Sequence, residues 1–415
     1  MKIATIFIAC LVMACNSNVT KSEKDSLAAG SGDKVLTESG TVELPPPYKT
    51  ESVINLSKVI GWENNATPVA PAGFKVTKYA GDMDNPRLIY VLPNKDVLIV
   101  ESHKGRISLF RDTNEDGTPD LQTVFLSDLN NPFGMLLLNS YFYVCNENAV
   151  MRYAYTEGVT KISSGGQKIL DLPVGGRHWT RNLIANQSGT KIYVAIGSGS
   201  DHAEKGIDYE NRRACILEIN PDGTGERLYA SGLRNPAGMD WAPGTNTLWT
   251  AVNERDQLGD DLVPDFLTSV KENGFYGWPY SYFGQHEDPR INDADKRPDL
   301  VKKAIVPDVP LGSHTASLGL AFYTGKAFPQ KYQNGAFIGQ HGSWNRSVLS
   351  GYKVVFVPFV NGKPGQPEDF LTGFIADESK SKVYGRPVGV TMLPDGSLLV
   401  ADDGGNVVWR VSYGK

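Results

Sequence analysis

A histidine suited to proton transfer stands directly before a strand-like run in this chain. His178 lies in the stretch Gly-Arg-His-Trp-Thr-Arg-Asn-Leu, residues 176–183. An imidazole at the end of a strand has an ordinary pKa that allows it to accept a proton from a substrate hydroxyl. The alternative is a structural hydrogen bond between neighbouring sheets. The sequence leaves both interpretations open.

The densest polar stretch of the chain covers residues 232–261. It begins with Arg234 and Asn235, continues through a strand, a Pro-Gly turn and a second strand, and ends in the acidic loop 253–261. Polar residues just beyond strand ends, on loops held by a rigid sheet, are typical of binding sites. We therefore treat this stretch as the centre of a candidate functional site.

A repeated unit must position these residues. Residues 86–101 and 387–402 share the order strand, turn at Pro-Asn or Pro-Asp-Gly, strand, acidic residue. Similar units occupy 131–146, 182–198, 235–253 and, more loosely, 315–340. About six units at spacings of roughly 40 to 70 residues match the period of propeller blades. We predict an all-β fold, a six-bladed β-propeller.

Further strands complete the predicted units. Third strands are expected at 106–111, 150–155, 214–220, 352–358 and 407–411. The strand beginning at Gly73 is expected to pair with the last unit, which would remove a free sheet edge. Helical periodicity is nearly absent, and only residues 262–271 have the pattern of a short helix.

Charge and motifs exclude several classes of protein. The formal net charge is -5 and the chain has no Lys/Arg-rich run, so nucleic acid is not an expected partner. The chain lacks GxGxxG after a strand, GxxxxGK, HExxH and GxSxG. Nicotinamide dinucleotides, P-loop nucleotides, zincin chemistry and the hydrolase elbow therefore have no support.

The N-terminus has the features of an export signal. Lys2 precedes an apolar run that is too short to span a bilayer, and Val-Met-Ala-Cys at 12–15 resembles the lipobox of bacterial lipoproteins. The alternatives are a plain signal peptide or lipidation at Cys10. We predict a lipoprotein signal at 1–15 with lipidation at Cys15, a flexible tether at 16–60 and the propeller domain at 61–415. The protein would be exported to the periplasm or the outer membrane, touching membrane only through its lipid.

Two further cysteines, Cys145 and Cys215, lie in apolar strand-like contexts. Buried free thiols are the favoured interpretation, although an exported compartment permits a disulfide.

An acidic loop provides a separate candidate metal site. Asp112, Asn114, Asp116 and Asp120 place oxygens at alternate positions, with Gly117 at the sixth. This spacing matches the first half of an EF-hand loop and predicts a structural calcium ion. The alternative is an acidic hairpin turn with its glycine in the left-handed region.

Six motifs in order carry a family resemblance. They are Gly-Arg-His-Trp-Thr-Arg-Asn-Leu (176–183), Gly-Leu-Arg-Asn-Pro-Ala-Gly (232–238), Asn-Glu-Arg-Asp-Gln-Leu-Gly-Asp-Asp (253–261), Tyr-Gly-Trp-Pro (276–279), His-Gly-Ser-Trp-Asn-Arg (341–346) and Tyr-Gly-Arg-Pro-Val-Gly (384–389). Together they resemble the L-sorbosone dehydrogenase family, relatives of soluble quinoprotein glucose dehydrogenase. The resemblance covers nearly everything from residue 73 to residue 413.

The resemblance implies a propeller that binds pyrroloquinoline quinone and calcium and oxidises an aldose, sorbosone or similar sugar at C1, passing electrons to an unidentified acceptor. His178 would be the general base. Arg234, supported by Asn235, would stabilise charge on the quinone oxygen. The backbone carbonyls of Arg255 and Asp256 would bind calcium.

The resemblance also assigns cofactor contacts: Thr315, Arg346 and Arg386 would meet the carboxylates of the quinone. Two departures from soluble glucose dehydrogenase affect this transfer. The loop 254–261 is longer, and the lysine expected on the fifth blade is not obvious.

The insert 262–312 holds Tyr280, Tyr282, His286 and Arg290, which either rim the site or cap the propeller. A non-catalytic propeller that binds glycan or protein is the alternative function, because fold does not fix function. A lactonase-type hydrolase is the least favoured function. It would need acidic metal ligands on the inner strands, and only Asp402, Asp403 and Asn253 are candidates for them.

Overall fold

The structure, a computed structural model, describes residues 19–63 and 66–414. Antiparallel sheets dominate it, which confirms the predicted all-β class. In these ranges the helices are α1 (Lys21–Ala28) and α2 (Pro298–Val301), with 3-10 turns at Ile207–Glu210, Asp293–Asp295, Gln330–Tyr332 and Glu378–Lys380. None of these helices is long and apolar enough to cross a membrane. The predicted signal 1–15, with Cys10 and Cys15, lies outside the described residues.

Six sheets of four or more strands are built from successive segments of the described chain. Four strands come first: β1 (Asp33–Thr37), β2 (Gly40–Leu44), β3 (Lys58–Val59) and β4 (Phe74–Ala80). Sheet 1 contains β5 (Pro86–Val91), β6 (Val97–Glu101), β7 (Arg106–Arg111) and β8 (Leu121–Leu126). Sheet 2 contains β9 (Gly134–Leu138), β10 (Tyr141–Cys145), β11 (Ala149–Ala154) and β12 (Gln167–Asp171). Sheet 3 contains β13 (Arg181–Ala185), β14 (Ile192–Ile196), β15 (Cys215–Ile219) and β16 (Arg227–Ser231).

The second half of the chain follows the same plan with insertions. Sheet 4 contains β17 (Pro236–Trp241), β18 (Leu248–Val252), β19 (Pro264–Ser269) and β23 (Val309–Ser313). Between β19 and β23 the chain forms three short strands that do not belong to sheet 4: β20 (Gly274–Phe275), β21 (Ser281–Tyr282) and β22 (His286–Glu287). Sheet 5 contains β24 (Ser317–Tyr323), β25 (Gly335–Gln340), β26 (Lys353–Val360), β27 (Lys363–Pro364) and β28 (Glu368–Leu371). A small sheet joins β29 (Ile375–Asp377), β30 (Lys382–Val383) and β3. Sheet 6 contains β31 (Pro387–Met392), β32 (Leu398–Asp402), β33 (Val407–Tyr413) and β4.

The first strands of the six sheets contact one another in a closed series, β5 to β9, β13, β17, β24, β31 and back to β5. Glycines allow the closest approaches. A Cβ added to Gly319 would lie 2.0 Å from the carbonyl oxygen of Val388, and one added to Gly389 would lie 2.3 Å from that of Arg87. Residues at the starts of these strands therefore converge at one end of the series.

Sheet 6 is completed by a strand from near the other end of the chain. β4 pairs antiparallel with β33, and Phe74 lies opposite Tyr413. The prediction for the strand beginning at Gly73 is thus confirmed. The pairing covers the edge that β33 would otherwise expose.

The short helix predicted at 262–271 is wrong, because this segment contains β19. All six residues of β19 are buried, and it pairs with β18 on one side and β23 on the other. A strand buried on both faces has no alternation of apolar and polar residues, so periodicity cannot distinguish it from a buried helix.

The expectation of a flexible tether at 16–60 also needs correction over its described part. α1 and the β1–β2 hairpin are followed by β3, which pairs in parallel with β30. Leu44 is buried in a core cluster that includes Leu258. The polar composition suggested disorder, but a few apolar anchors and backbone hydrogen bonds to a rigid body order the segment.

Cys145 and Cys215 are buried free thiols, as the favoured interpretation held. Burial raises the pKa of each thiol to about 12, so neither is a reactive thiolate at neutral pH.

Candidate active site

A cavity of about 330 Å³ lies where the first strands converge. Its walls come from loops that precede first strands and from loops that follow second strands. The lining residues are Arg87, Arg177, His178, Trp179, Thr180, Arg234, Asn235, Asn253, Asp256, His314, Ala316, Leu318, His341, Gly342, Trp344 and Arg386. Six of the residues singled out from the sequence therefore meet in one place: His178, Arg234, Asn235, Asn253, Asp256 and Arg386.

Two of the predicted cofactor contacts, Thr315 and Arg346, do not line this cavity. The hydroxyl of Thr315 donates to the carboxylate of Asp265 at 2.8 Å. Arg346 donates from Nη2 to Asp261 at 2.7 Å and from Nε to the carbonyl of Asp260 at 3.1 Å. Both side chains therefore brace loops behind the cavity wall.

His178 is held in one tautomer. Its Nδ1 lies 3.0 Å from the carbonyl oxygen of Ser198, which can only accept, so Nδ1 carries the ring proton and Nε2 keeps its lone pair. Burial and the charge of Arg234 lower the pKa of His178 well below its ordinary value. The imidazole is therefore neutral at physiological pH, which is the state that a general base needs.

The backbone after β14 sets the spacing of the catalytic candidates. A Cβ added to Gly197 would lie 2.4 Å from Oδ1 of Asn235 and 2.6 Å from Cβ of His178. The amide of Ser198 donates to the carbonyl of Arg234 at 2.7 Å. The absence of a side chain at Gly197 thus allows His178 and Asn235 to approach each other.

A buried group of charges lies behind this wall, and we call it the Asp201 cluster: Asp201, Arg234, Arg255, Asp288 and Arg290. Asp201 accepts from Nη2 of Arg234 at 2.6 Å and from Nη1 of Arg290 at 3.2 Å. Asp288 accepts from Nη2 of Arg290 at 2.7 Å and from Nη1 of Arg255 at 3.0 Å. Burial alone would raise the pKa of Asp201, but Arg234 holds it well below the ordinary value. The cluster fixes Arg234 as a cation in the cavity wall.

A second group of buried and half-buried polar residues borders the cavity, and we call it the Asp403 cluster: Asp403, Asn85, Arg87, His341 and Arg386. Asp403 accepts from Nη1 of Arg87 at 2.5 Å, from Asn85 at 3.1 Å and from Nε2 of His341 at 2.7 Å. Arg386 donates to the carbonyl of His341 at 3.0 Å. Burial and the charge of Arg386 lower the pKa of His341 to about 4, so this imidazole is a neutral hydrogen-bond donor.

The charge balance of the cavity is positive. Four arginines line it, Arg87, Arg177, Arg234 and Arg386, against the single carboxylate of Asp256. His314 adds to this charge, because its Nδ1 lies 3.1 Å from Asp256 and its Nε2 lies 2.8 Å from the carbonyl of Gly259. Both partners are acceptors, and although burial opposes protonation, Asp256 raises the pKa of His314. The cavity suits an anionic ligand.

The insert 262–312 lies behind the cavity wall. This position favours the interpretation that it caps the propeller over the interpretation that it forms the rim of the site. Its aromatic residues do not line the cavity. Nε1 of Trp278 donates to the carbonyl of Asp201 at 2.9 Å, and Arg290 donates to the carbonyl of Asp256 at 2.8 Å. Tyr282 is buried and stacks on His286 at 5.6 Å between ring centroids.

Sequence reasoning missed four members of the site: Arg87, Asp201, His314 and His341. Arg87 follows the proline that opens the first repeat, and His341 opens a motif already quoted. Asp201 and His314 lie in loops next to β14 and β24. Their shared position beside inner strands was the signal that could have found them.

The lining residues fit a planar, carboxylate-bearing cofactor such as pyrroloquinoline quinone. Three of them have a buried polar atom with no protein hydrogen-bond partner: Nε of Arg87, Oγ1 of Thr180 and Oδ1 of Asn235. Buried polar atoms without partners are costly, so a ligand that satisfies them gains affinity. Guanidinium groups match carboxylates in geometry and charge.

Protein donors for calcium are incomplete. The carbonyl of Asp256 already accepts from Arg290, which leaves it one lone pair for a cation. Across the described ranges no three His, Cys, Asp or Glu side chains gather in a metal-binding arrangement. Calcium takes six or more oxygens, so an ion here would need oxygens from the bound ligand itself.

The acidic loop 112–120 has the contacts of a hairpin turn. Oδ2 of Asp112 accepts from the amide of Gly117 at 2.7 Å, and Oδ1 of Asn114 accepts from the amide of Asp116 at 3.0 Å. Asp120 accepts from the hydroxyl of Thr113 at 2.8 Å. These carboxylates cap their own backbone, which favours the turn over the predicted structural calcium site.

Comparison with known proteins gives a family match and distant relatives. The model of the family described as TrAA12-like matches residues 68–273 and 281–413. An uncharacterized protein of Borreliella burgdorferi is 37% identical over 245 residues, which cover 57% of this chain and 61% of that protein. Aldose sugar dehydrogenase YliI of Escherichia coli is 31% identical over 178 residues, which cover 40% of this chain and 45% of that protein. The matches thus span less than two thirds of either relative.

Two solved structures share the fold. The holo form of the pyranose dehydrogenase PQQ domain from Coprinopsis cinerea has a TM-score of 0.70 at 19% identity, covering 85% of this chain and 98% of that one. The calcium structure of a family AA12 protein from Trichoderma reesei has a TM-score of 0.72 at 18% identity, covering 85% of this chain and 100% of that one.

Proposed function

The chain belongs to the TrAA12-like family, and we propose that it oxidises a sugar with pyrroloquinoline quinone bound in the cavity described above. The observation that carries the proposal is the state of His178. Its Nδ1 is tied to the carbonyl of Ser198, and its depressed pKa keeps the ring neutral beside a cavity that suits an anionic cofactor.

The quinone, when bound, would accept the hydrogen of C1 together with the two electrons that leave the sugar. Arg87 and Arg386 are placed to bind its carboxylates through their guanidinium groups. Asn235 and Thr180 offer a buried oxygen each for its remaining polar atoms. Arg234, fixed by Asp201, stabilises negative charge that develops on the ligand.

The proton of the sugar hydroxyl goes to Nε2 of His178. The carbonyl of Ser198 orients the ring by accepting from Nδ1, so the lone pair on Nε2 is the free basic site. Burial and Arg234 disfavour the imidazolium ion. His178 therefore holds the proton briefly and returns it to solvent, which resets the base.

The finer assignments are part of the same proposal. The substrate is an aldose or a sugar aldehyde of the sorbosone type, oxidised at C1, as the name of the Escherichia coli relative and the sequence resemblance both suggest. Calcium, for which the Trichoderma reesei structure is named, would use the carbonyls of Arg255 and Asp256 with oxygens of the quinone. The electron acceptor is a separate partner.

We also infer the architecture and location that this function requires. The six sheets are the blades of a six-bladed propeller, since their first strands form a closed series. The segment 1–15 is a lipoprotein signal with lipidation at Cys15, which would place the enzyme in the periplasm or on the outer membrane.

The test is a titration of the full chain with pyrroloquinoline quinone, with and without calcium, followed by quinone absorbance and thermal melting. Wild type should bind and melt at a higher temperature, and aldoses or sorbosone should then reduce a dye. His178→Gln should keep quinone affinity within about threefold and lose roughly a hundredfold or more in turnover, because a general base contributes about 10² to 10⁴.

His103→Gln, a change at an exposed histidine, is the matched control and should behave as wild type. Full turnover in His178→Gln would remove that residue from the mechanism. If wild type neither binds quinone nor shifts its melting temperature, the protein is better described as a propeller that binds glycan or protein.

A further inference from the structure

The N-terminal segment 48–62, which we call the strap, lies along three walls of the cavity. The TrAA12-like match begins only at residue 68, so the strap lies outside the family domain. Four large apolar side chains on it are exposed: Ile54, Leu56, Val59 and Ile60. Tyr48 and Trp62, at its two ends, pack against core clusters, and the strap also forms hydrogen bonds with loops that carry cavity residues.

The first wall is the loop 253–261, which contributes Asp256 to the cavity. The amide of Tyr48 donates to the carbonyl of Leu258 at 2.7 Å. The hydroxyl oxygen of Thr50 accepts from the amide of Asp260 at 2.7 Å. The strap thus satisfies one donor and one acceptor of this loop.

The second wall carries Trp344, which lines the cavity. The amide of Asn55 donates to the carbonyl of Trp344 at 2.8 Å. The side chain of Asn345 donates to the carbonyl of Val53 at 2.7 Å and accepts from the amide of Gln257 at 2.7 Å. Asn345 therefore connects the strap, the second wall and the first wall.

The third wall is the start of β31, where Arg386 lines the cavity. Nε1 of Trp62 donates to Oδ2 of Asp402 at 2.6 Å, while Oδ1 of Asp402 accepts from the amide of Arg386 at 2.7 Å. The indole ring of Trp62 is packed against Tyr384 at 5.0 Å and Trp409 at 5.1 Å between centroids. One carboxylate thus connects the strap to the backbone of a cavity arginine.

We propose that the strap is a working part of the cavity, and that Thr50, Asn55 and Trp62 are positioning residues that hold three walls in register. The walls belong to sheets 4, 5 and 6, and the strap, which lies outside the matched family domain, forms hydrogen bonds with all three. The inference does not require the ligand to be pyrroloquinoline quinone.

The test measures backbone amide hydrogen exchange by mass spectrometry on the full chain. Thr50→Val removes the acceptor of the Asp260 amide while keeping the shape of the side chain, and Trp62→Phe removes the indole donor while keeping a ring. Exchange should accelerate by roughly threefold to tenfold in 253–261 for the first variant and in 384–389 for the second, as expected for one lost hydrogen bond. Exchange in 97–111, which belongs to sheet 1, should stay unchanged.

Matched variants separate positioning from general destabilisation. Leu56→Ala changes a strap residue that is 68% exposed and should exchange as wild type. Thr50→Ser keeps the hydroxyl and should restore slow exchange in 253–261. A second readout is affinity for pyrroloquinoline quinone, which should fall about threefold or more in Thr50→Val and recover in Thr50→Ser, at nearly constant melting temperature.

Unchanged exchange in both Thr50→Val and Trp62→Phe would overturn the inference, and so would equal acceleration in Leu56→Ala. Failure of the proposed function has a different result. Wild type would then bind no quinone, and the exchange comparison alone would decide the role of the strap. If Trp62→Phe does not fold, the exchange rate of 253–261 in Thr50→Val still tests the inference.

Discussion

The two buried charge clusters beside the cavity differ in how completely the protein satisfies them. In the Asp201 cluster the guanidinium nitrogens of Arg234, Arg255 and Arg290 all donate to protein acceptors. In the Asp403 cluster, Nε of Arg87 and Oδ1 of Asn85 are buried without partners. The first cluster is complete in itself, whereas the second leaves two buried atoms without partners, one of them on Arg87, which lines the cavity.

We infer from this difference that the Asp201 cluster has a structural role and that the Asp403 cluster takes part in ligand binding. A complete buried ionic network gives a fixed orientation at a large cost for any missing member. An incomplete network lowers the stability of the ligand-free protein, and unsatisfied buried groups of this kind are found at functional sites. We therefore expect substitutions in the Asp201 cluster to act mainly on stability, and those in the Asp403 cluster to act mainly on binding and pH response.

The largest expected effect is that of Asp201→Asn. It removes the charge between two buried guanidinium groups, and breaking such a network costs about 3–5 kcal/mol. The free energy of unfolding from chemical denaturation measures it. Asp208→Asn, at an exposed position in the same loop, should stay within about 0.5 kcal/mol of wild type.

The same measurement on Asp403→Asn tests the contrast directly. Asp403 accepts hydrogen bonds from one guanidinium group rather than two, and Arg87 also lies over the ring of Trp179 at 5.3 Å. The loss should be clearly smaller than for Asp201→Asn. An equal or larger loss would break the distinction between the two clusters.

The second prediction concerns pH and His341. Its pKa falls from 6.5 to about 4 on folding, so between these values the unfolded chain binds a proton that the folded chain does not. The stability contribution is fully present above pH 6.5 and is lost as the pH falls toward 4. The loss is up to about 3 kcal/mol at about 1.4 kcal/mol per unit.

His341→Gln should remove this pH dependence, because glutamine keeps a donor for Asp403 but does not titrate. Unfolding free energies at pH 7 and pH 4.5, compared between the variant and wild type, measure the effect. His314 has the opposite sign, since its raised pKa means that its contribution is lost as the pH rises. A variant with the wild-type slope would show that the pKa of His341 does not change on folding.

The contrast also explains what the sequence could predict. His178, Arg234 and Asn235 were found because each lies in a motif directly before an inner strand, and position along a repeat is visible in sequence. Arg87 lies within β5 and His341 follows β25, and their role depends on Asp403, which lies more than sixty residues from the nearer of the two. Pairing across sheets that are distant in sequence leaves no local pattern.

The errors have the same origin. Thr315 and Arg346 have the right residue types for a carboxylate ligand, but Asp265 and Asp261 already bind them. The polar composition of much of 16–60 predicts a tether, although residues 48–60 form hydrogen bonds to loops far away in sequence. Composition and period predict elements well, whereas long-range polar contacts decide which side chains remain free.

The third prediction tests the close approach at Gly197. Gly197→Ala would place a Cβ 2.4 Å from Oδ1 of Asn235 and 2.6 Å from Cβ of His178, so one of them must move. We expect a loss of about 1–3 kcal/mol in unfolding free energy, together with weaker quinone binding. Gly165→Ala, where nothing lies within 4 Å of the new Cβ, is the control. Wild-type stability in Gly197→Ala would show that His178 or Asn235 can move to accommodate the new Cβ at little cost in free energy.

The smallest expected effect sharpens the contrast most, because it should change binding without changing stability. Arg87→Lys keeps the positive charge beside Asp403 but removes the unpartnered Nε and the planar fork that suits a carboxylate. Affinity for pyrroloquinoline quinone should fall about tenfold, equal to about 1.4 kcal/mol, while unfolding free energy stays near that of wild type. Arg234→Lys should show the reverse order, because its nitrogens already serve protein acceptors and a lysine cannot reach them all. If both variants lose stability and affinity in the same proportion, the Asp403 cluster has the same structural role as the Asp201 cluster. The ligand must then be recognised elsewhere in the cavity.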